Sequence, residues 1–361
     1  MITIDGSYGE GGGQIIRTAL ALSTLTGKPF HVFNIRKNRK DAGLKAQHLT
    51  AITALKELCD AKTNDVALGS EELRYLPGKI KSGKFSFDIG TAGSITLLLQ
   101  AVLLPAMFAP RKVTLTIMGG TCGKWQAPVE YFQNVLLPFL QRFCSVECVI
   151  KKLGYFPKGG GEVEVVVKPR ISFNKFESFD LFLEEMKKMK PFHLVSRSAL
   201  VQVKGISHSS RDLASAHVAE RQAQAARIAF TKYNVPVAIQ AVSHDALCTG
   251  SGITLWARFH DKDDELQTVL GADALGERGV KAEYVGSNVA QQLATEIDSG
   301  ASVDSHCGDQ ILPFLALVGG EVRVSEITEH ARTNMWVIEK FLDVKFEVEG
   351  NMIRAIPLKA G

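Results

Sequence analysis

The same order of structural elements recurs three times along this chain of 361 residues, and the repeat limits the fold more than any other feature. Each copy opens with a turn rich in glycine and an apolar helix. A short strand, a polar loop, an amphipathic helix and a closing strand follow. Apolar residues spaced at about 3.6 positions indicate the helices, and alternation indicates the strands. The copies begin at residues 11–14, 90–93 and 307–310.

The spacing predicts an α+β fold of three repeats. The predicted helices cover residues 11–26 and 44–59, then 90–109 and 129–144, then 307–318 and 333–342. The predicted strands between the helices of each copy cover 30–35, 112–118 and 321–327. Helices on one side of a small sheet leave a face that a neighbouring copy must cover. We therefore expect the copies to pack around a common axis.

Residues 183–277 do not follow the repeat. They contain strand-like segments at 200–204, 235–242 and 253–259 and a long helix candidate at 214–232, between polar connectors at 184–188 and 261–265. A helix between strands indicates a small α/β domain inserted into the repeat. The predicted domains are a main domain of residues 1–182 and 278–361 and an inserted domain of residues 183–277.

The composition favours a globular cytoplasmic protein, since 45% of the residues are hydrophobic. The most apolar stretch, residues 95–110, is interrupted by Gln100 and Pro105 and falls short of the roughly 20 residues that cross a bilayer, so we expect no membrane span. The first residues alternate like a strand, and no signal peptide is indicated. The six cysteines form no CxxC pair and no zinc spacing, which suits a reducing cytosol.

Basic residues concentrate in one loop, although the net charge is only +4. On charge alone, a solvated loop is the simpler interpretation. The repeat changes that weighting because it should bring this loop, 36–45, together with loops 119–128 and 328–333. The helix N-termini at 11–14, 90–94 and 308–310 should meet there as well, and their free amides favour phosphates. The basic residues are Arg36, Lys37, Arg39, Lys40 and Lys45.

The glycine turn at residues 6–14 has the general form of an anion-binding loop. It is neither a Walker A motif nor a dinucleotide fingerprint. A tight turn without a ligand explains the glycines equally well. Glu10 favours function, because a carboxylate at that place could hold a divalent cation that bridges phosphates.

His330 is the candidate nucleophile, because it lies just before a helix in a loop that should face the glycine turn. A lone histidine is more often a surface or capping residue. A neutral imidazole can nonetheless attack phosphorus and form a covalent intermediate. Charge for such a centre could come from Arg17, Arg36, Arg39 and Arg332.

Residues 306–310 form a second candidate helix start, with Asp309 as its capping residue. Capping alone would explain the aspartate. Cys122 and Cys307 lie in loops where a thiol could react, but no paired base is apparent and we interpret both as bystanders.

The motifs, taken in order, resemble those of the RNA 3'-terminal phosphate cyclases. The resemblance covers nearly the whole chain and is weakest in the insert. The predicted arrangement also resembles the architecture of that family, which has three repeats of a two-helix, four-stranded unit and a small inserted domain. Enolpyruvyl transferases share the repeat unit. The segments that carry it are residues 10–17, 35–39, 43–49, 90–94, Asp309-Gln310, His330 and Thr333-Asn334.

The resemblance implies an ATP-dependent reaction on RNA with a 3'-phosphate end. His330 would take AMP from ATP and pass it to the RNA 3'-phosphate, and the 2'-hydroxyl would then close a 2',3'-cyclic phosphate. Glu10 would lie near the metal, Mg²⁺ or Mn²⁺. By the same resemblance, Gln100, His306, Cys307, Gly308, Asp309 and Gln310 would bind the adenylate, and Arg17, Arg36, Arg39, Gln47 and His48 would bind phosphates.

His306 stands where some relatives are expected to carry tyrosine, which puts base stacking there in question.

Three alternative functions stay open at this point. A sister branch of the family acts in ribosome biogenesis without the nucleophilic histidine, and the presence of His330 favours the active branch. An enolpyruvyl transferase should have more repeats, and a purely structural repeat protein would not explain the charged loops. The oligomeric state is open, a homo-oligomer included.

Overall fold

The computed structural model describes residues 1–260 and 268–358. Over these residues the chain is a mixed α and β structure with four four-stranded sheets. The predicted connector at 261–265 lies outside the described residues. Within the same ranges, none of the helices has both the length and the apolar character needed to cross a membrane.

The first sheet has the strand order β1-β2-β4-β3, in which β1 and β2 are parallel and the other neighbours antiparallel. The first helix of this part of the chain is capped at its C-terminus by Gly27, whose φ of 72° is the left-handed conformation that glycine adopts at helix ends. The elements are β1 (Ile2–Asp5), α1 (Gln14–Thr26), β2 (Phe30–Phe33), α2 (Ala46–Cys59), β3 (Lys62–Thr63) and β4 (Leu73–Leu76).

The second sheet has the order β5-β6-β8-β7 and the same pattern of directions. The predicted helix over 129–144 is confirmed as far as Leu140, and only its last four residues are wrong. It passes through a π-helical turn and ends at Leu140, and Cys144 begins a strand in which burial alternates. The elements are β5 (Gly83–Asp88), α3 (Ile95–Met107), β6 (Val113–Gly119), α4 (Val129–Tyr131), the π turn Phe132–Leu136, α5 (Leu137–Leu140), β7 (Cys144–Lys152) and β8 (Gly161–Pro169).

The third sheet and its helices form a third unit, which begins with α6 (Phe179–Lys187) and β9 (Phe192–Leu194). The strands of the fourth sheet follow in the chain before the rest of this unit. Helix α6 occupies most of the predicted connector at 184–188, which is therefore not a linker. The fourth sheet, ordered β11-β10-β12-β13, has a separate core that α7 and α8 cover. Its elements are β10 (Leu200–Ser210), α7 (Val218–Ala229), β11 (Val237–His244), β12 (Ser251–Phe259), β13 (Val269–Leu275) and α8 (Ala282–Asp298).

The remaining elements complete the third unit, whose strand order is β9-β14-β16-β15 with β9 and β14 parallel. The predicted helix over 307–318 is two helices, and the last helix begins four residues earlier than predicted, at Glu329. The elements are α9 (Ser305–Gln310), α10 (Leu312–Val318), β14 (Gly320–Arg323), α11 (Glu329–Phe341), β15 (Val344–Glu349) and β16 (Met352–Pro357).

Helix α1 lies at the centre of the main core, where it contacts α2, α3 and α11. Every one of its residues is buried, including Gln14 and Arg17 at its beginning. Buried side chains of all three units merge into one large core around it. The fold therefore holds the N-terminus of α1, and the glycine turn before it, where elements of all three units meet.

Candidate active site

A cavity of about 770 Å³ opens beside the beginning of α1. It receives side chains from the first unit, from α3 and the loop after β6, and from α9 and α11. Strand β13 of the fourth sheet and helix α8 add further residues, such as Asp273 and Gln292. The predicted site residues that line it are Arg17, Gln100, His306, Asp309, Gln310 and His330.

The glycine turn brings backbone close to the side chains of this cavity. Gly9 and Gly11 have φ near +57°, which few other residues adopt. Gly13 has no room for a side chain, since a Cβ there would lie 2.4 Å from Nε2 of His48 and 2.8 Å from a guanidinium nitrogen of Arg17. Glycine is thus required at 13 because His48 and Arg17 approach the backbone.

Arg17 is held in place by residues far away in the sequence. Its Nε donates a 2.8 Å hydrogen bond to Oε1 of Gln100 on α3. Burial lowers the pKa of the guanidinium to about 10, with Asp309 opposing and Arg36 adding to the shift. Arg17 therefore stays cationic at neutral pH. It lies near the N-terminal end of α1, where the helix dipole also favours anions.

His48 points a hydrogen-bond donor toward the same place. Its Nδ1 accepts a 3.0 Å bond from the backbone of Lys45, so the ring proton lies on Nε2. Burial, and then the charges of Arg17 and Arg36, lower the pKa of His48 to about 3, which keeps the ring neutral. Within residues 1–260 and 268–358, buried polar atoms without a hydrogen-bond partner cluster here: His48 Nε2, Gln14 Nε2 and Oε1, and Arg36 Nε.

Glu10 connects the basic loop to the candidate nucleophile. Its Oε2 accepts a 3.0 Å bond from Arg39, whose Nε also donates to the Glu10 carbonyl at 3.1 Å. The same carboxylate oxygen lies 3.2 Å from Nδ1 of His330. Burial lowers the pKa of His330 below 6.5; Glu10 opposes this shift, while Arg17 and Arg39 add to it. The imidazole is consequently neutral at pH 7.

His330 lies in the first turn of α11 rather than in a loop before it, because Thr328 caps that helix by accepting from the amide of Ala331 at 3.0 Å. Asn334, one turn further, anchors the helix to the site. It accepts a 2.8 Å bond from Thr18 and donates to the carbonyl of Asp309 at 3.3 Å. The helix thus fixes His330 relative to both α1 and α9.

Asp304, which the sequence did not single out, is the residue that caps α9. Its Oδ1 accepts from the amide of Cys307 at 2.8 Å and from the Tyr131 hydroxyl, and Oδ2 accepts from the amide of Gly271 at 2.8 Å. The prediction that Asp309 caps this helix is therefore wrong. Asp309 lines the cavity instead, where burial raises the pKa of its carboxyl to about 7.

Known proteins match this chain along nearly its full length. A family model described as RNA 3'-terminal phosphate cyclase matches residues 8–348. The chain belongs to the RNA 3'-terminal phosphate cyclase family. It is 46% identical over 355 residues to the RNA 3'-terminal phosphate cyclase of Pyrococcus furiosus, an alignment that covers 98% of this chain and 96% of the relative. The identity is 45% for Pyrococcus abyssi (98% and 96% covered) and 43% for Methanosarcina barkeri (97% of both).

The structure brings most of the residues suggested by the family resemblance to one place, with exceptions. Cys307 is fully buried in the main core, and a Cβ on Gly308 would lie 2.9 Å from Val324, so both face the core rather than the cavity. Gln47 lies beside the turn at Gly93. Arg36 borders the charged groups around His48 without lining the cavity.

Several cavity residues were not found from the sequence, among them Lys124, Trp125, Asn288 and Gln292. Asn288 and Gln292 are polar positions on an amphipathic helix, where nothing separates them from solvent-facing residues. Trp125 could have been found from the sequence. Tryptophan is highly buried on average, so a tryptophan in a polar loop after a strand is unusual.

Glu10 is the residue best suited to a divalent cation. Among the described residues, no group of three or more histidine, cysteine, aspartate or glutamate side chains is arranged to hold a metal. Mg²⁺ commonly binds through one or two carboxylates together with substrate phosphates, which a single glutamate beside a phosphate site fits.

Proposed function

We propose that this protein converts an RNA 3'-terminal phosphate into a 2',3'-cyclic phosphate at the expense of ATP, by way of AMP bound covalently to His330. The observation that carries the proposal is the juxtaposition of a neutral, carboxylate-oriented imidazole with a cluster of buried donors that lack partners within the described residues. The first supplies a nucleophile. The second is an environment for a phosphate.

The nucleophile is Nε2 of His330. A proton on Nδ1 faces the Glu10 carboxylate 3.2 Å away, which leaves the lone pair on Nε2. When Nε2 bonds to phosphorus, the ring becomes cationic, and the carboxylate stabilises that charge. Glu10 therefore orients the ring before the reaction and offsets its charge afterwards.

The phosphates bind where Arg17, Arg36, His48 and Gln14 converge at the beginning of α1. Arg17 contributes a buried positive charge, and the Nε2–H of His48 contributes a neutral donor. Buried polar atoms without a partner cost roughly 1–3 kcal/mol each, so a ligand that satisfies them is favoured. An anion also benefits from the helix dipole and the amides of the glycine turn.

The proposed reaction has three steps, and in each the bond that forms is matched by one that breaks. Nε2 of His330 forms a bond to the α-phosphorus of ATP as the bond to pyrophosphate breaks. An oxygen of the RNA 3'-phosphate then bonds to that phosphorus, and the P–N bond returns its electrons to the imidazole. Finally the 2'-hydroxyl oxygen bonds to the activated 3'-phosphorus, its proton is released to solvent, and AMP leaves.

The adenylate occupies the part of the cavity lined by Gln100, His306, Asp309 and Gln310. An Asp309 carboxyl with a pKa of about 7 can donate or accept a hydrogen bond at neutral pH. His306 is exposed and packs edge-on against Tyr131, with ring centroids 6.3 Å apart, so one imidazole face can contact a base. A divalent ion held by Glu10 would neutralise charge on the ATP phosphates.

We also propose that the three sheets that share one strand order are copies of a two-helix, four-stranded unit around a common axis. The inserted domain begins after β9, which pairs with β14, and includes α8, whose apolar face is part of the separate core. Six cysteines without a disulfide among them suit the cytoplasm.

The experiment is to incubate the protein with α-labelled ATP and Mg²⁺ or Mn²⁺, denature it, and look for label that stays with the chain. We expect an acid-labile, alkali-stable label, as a phosphoramidate gives. Addition of RNA with a 3'-phosphate should discharge the label and yield a cyclic end, whereas RNA with a 3'-hydroxyl should not.

His193 offers a matched control for His330. Its Nδ1 lies 3.1 Å from a glutamate, Glu321, but on the surface outside the cavity. His193→Ala should label like the unmodified protein, and His330→Ala should not label. Equal labelling of both variants would overturn the assignment of the nucleophile. Binding of 3'-phosphorylated RNA without any labelling would indicate a non-catalytic RNA-processing factor.

A further inference from the structure

Trp125 is an aromatic side chain that the fold does not bury. Its side chain is 95% exposed, yet it lines the cavity that contains His330. The other two tryptophans are used by the fold: Trp256 is 8% exposed, and Trp336 stacks on Tyr8 with ring centroids 4.0 Å apart. Trp125 thus presents a bare indole to the cavity that His330 also lines.

The backbone around Trp125 is held in an unfavourable conformation. Its φ of 61° is rare for a bulky residue, and such outliers concentrate at ligand-binding sites. The loop is fixed on both sides: Gly123 and Gln126 form an antiparallel bridge, and Nζ of Lys124 lies 3.0 Å from Oε1 of Glu277. The Gln126 side chain folds back over this turn, where its amide nitrogen lies 2.2 Å from the place that a Cβ on Gly123 would take.

We propose that Trp125 is a stacking platform for a nucleobase of the RNA strand near its 3' end. The proposal rests on the function proposed above. An indole accepts any base, because every base has a π face, and such stacking requires no particular sequence. Of the cavity residues suggested for the adenylate, Gln100, Asp309 and Gln310 are half-buried in the wall, and His306 is exposed. The exposed indole lies at the opening, where a strand longer than a mononucleotide must pass.

RNA binding in the absence of ATP tests this directly. The probes are a 3'-phosphorylated oligoribonucleotide and the same strand with abasic nucleotides next to the terminus. Trp125→Ala should weaken the first by roughly 5- to 150-fold, the range measured for loss of one base–aromatic stack, and leave the abasic strand unaffected. Trp125→Phe should retain part of the affinity. RNA should quench tryptophan fluorescence in the unmodified protein but not in Trp125→Phe, which retains Trp256 and Trp336.

Phe156→Ala is the matched control, because Phe156 is a 79% exposed aromatic that does not line the cavity. It should bind RNA like the unmodified protein. Equal RNA affinity in Trp125→Ala, or equal losses for the normal and abasic strands, would overturn the proposal. A raised KM for ATP with unchanged RNA affinity would assign the indole to the adenine instead and would also overturn it. Failure of His330 labelling would refute the proposed reaction but not this contact, since the binding assay contains no ATP.

Discussion

Glu130 allows a quantitative test of the electrostatics beneath the active site. It lies on α4, 2% exposed, with Oε1 3.8 Å from Nε2 of His208 on the inserted sheet. Its other oxygen has no hydrogen-bond partner among the described residues. Burial raises the pKa of Glu130 from 4.5 to about 7. The folded protein therefore binds a proton between pH 4.5 and 7 that the unfolded chain has released, and this contribution to stability is lost as the pH rises through 7.

The magnitude follows from the two pKa values. The cost of ionising Glu130 in place reaches about 3 kcal/mol above pH 8, and the change between pH 5 and pH 8.5 is about 2.5 kcal/mol. Glu130→Gln removes this titration. A buried amide without a partner costs roughly 1–3 kcal/mol, but that cost is the same at both pH values. Relative to the unmodified protein, the variant should gain about 2.5 kcal/mol between pH 5 and pH 8.5.

The assay is urea denaturation of both proteins at the two pH values. His208 titrates in the opposite sense: burial lowers its pKa to about 4, so its contribution to stability is lost as the pH falls from 6.5. Burial and His244, which both proteins retain, cause the shift in the pKa of His208, so its effect cancels in the comparison. Glu147→Gln, at a 64% exposed position, controls for the loss of one negative charge. A difference between variant and parent that stays constant within about 0.5 kcal/mol from pH 5 to 8.5 would refute the reasoning.

Three further outcomes are expected. Glu10→Gln removes the carboxylate that raises the pKa of His330, so the acidic limb of self-adenylation should move to lower pH in single-turnover labelling; an unchanged limb would contradict the coupling. Gln100→Ala removes a bond to a charged Arg17, and KM for ATP should rise by about 10-fold in steady-state kinetics without a lower melting temperature. Tyr131→Phe removes one of the two donors to Oδ1 of the buried Asp304 and should lower the unfolding free energy by about 2 kcal/mol in urea.

Local patterns predicted the helices that enter the site. The glycines before residue 14 and the apolar period after it place α1 correctly, and α2 and α3 end within two residues of prediction. The helix expected at 129–144 ends four residues early, at Leu140, because two signals compete near its end. Pro138 and a run of apolar residues are compatible with a helix, whereas buried and exposed residues alternate from Cys144. Tertiary packing against β8 decides in favour of the strand.

The capping of α9 shows a second limit of prediction from the sequence. Asp304 and Asp309 are both short polar residues near a helix start, and side-chain chemistry does not separate them. The backbone does: Asp304 is extended, with φ −72° and ψ 168°, and its carboxylate is also held by Tyr131 and Gly271. Those partners come from other elements, so the choice depends on how the inserted sheet packs against α4.

The polar contacts of the site depend even more on chain closure. Arg17 and Gln100 are 83 residues apart, and Glu10 and His330 are 320 apart, so no local pattern could pair them. The repeat predicted from the sequence supplied only positions, because it led us to expect that equivalent loops meet at one place. The chemistry comes from the residues that differ between those loops. In the proposed reaction, the carboxylate of Glu10 and the imidazole of His330 form an oriented nucleophile only because burial keeps the ring neutral while the carboxylate selects which nitrogen carries the proton.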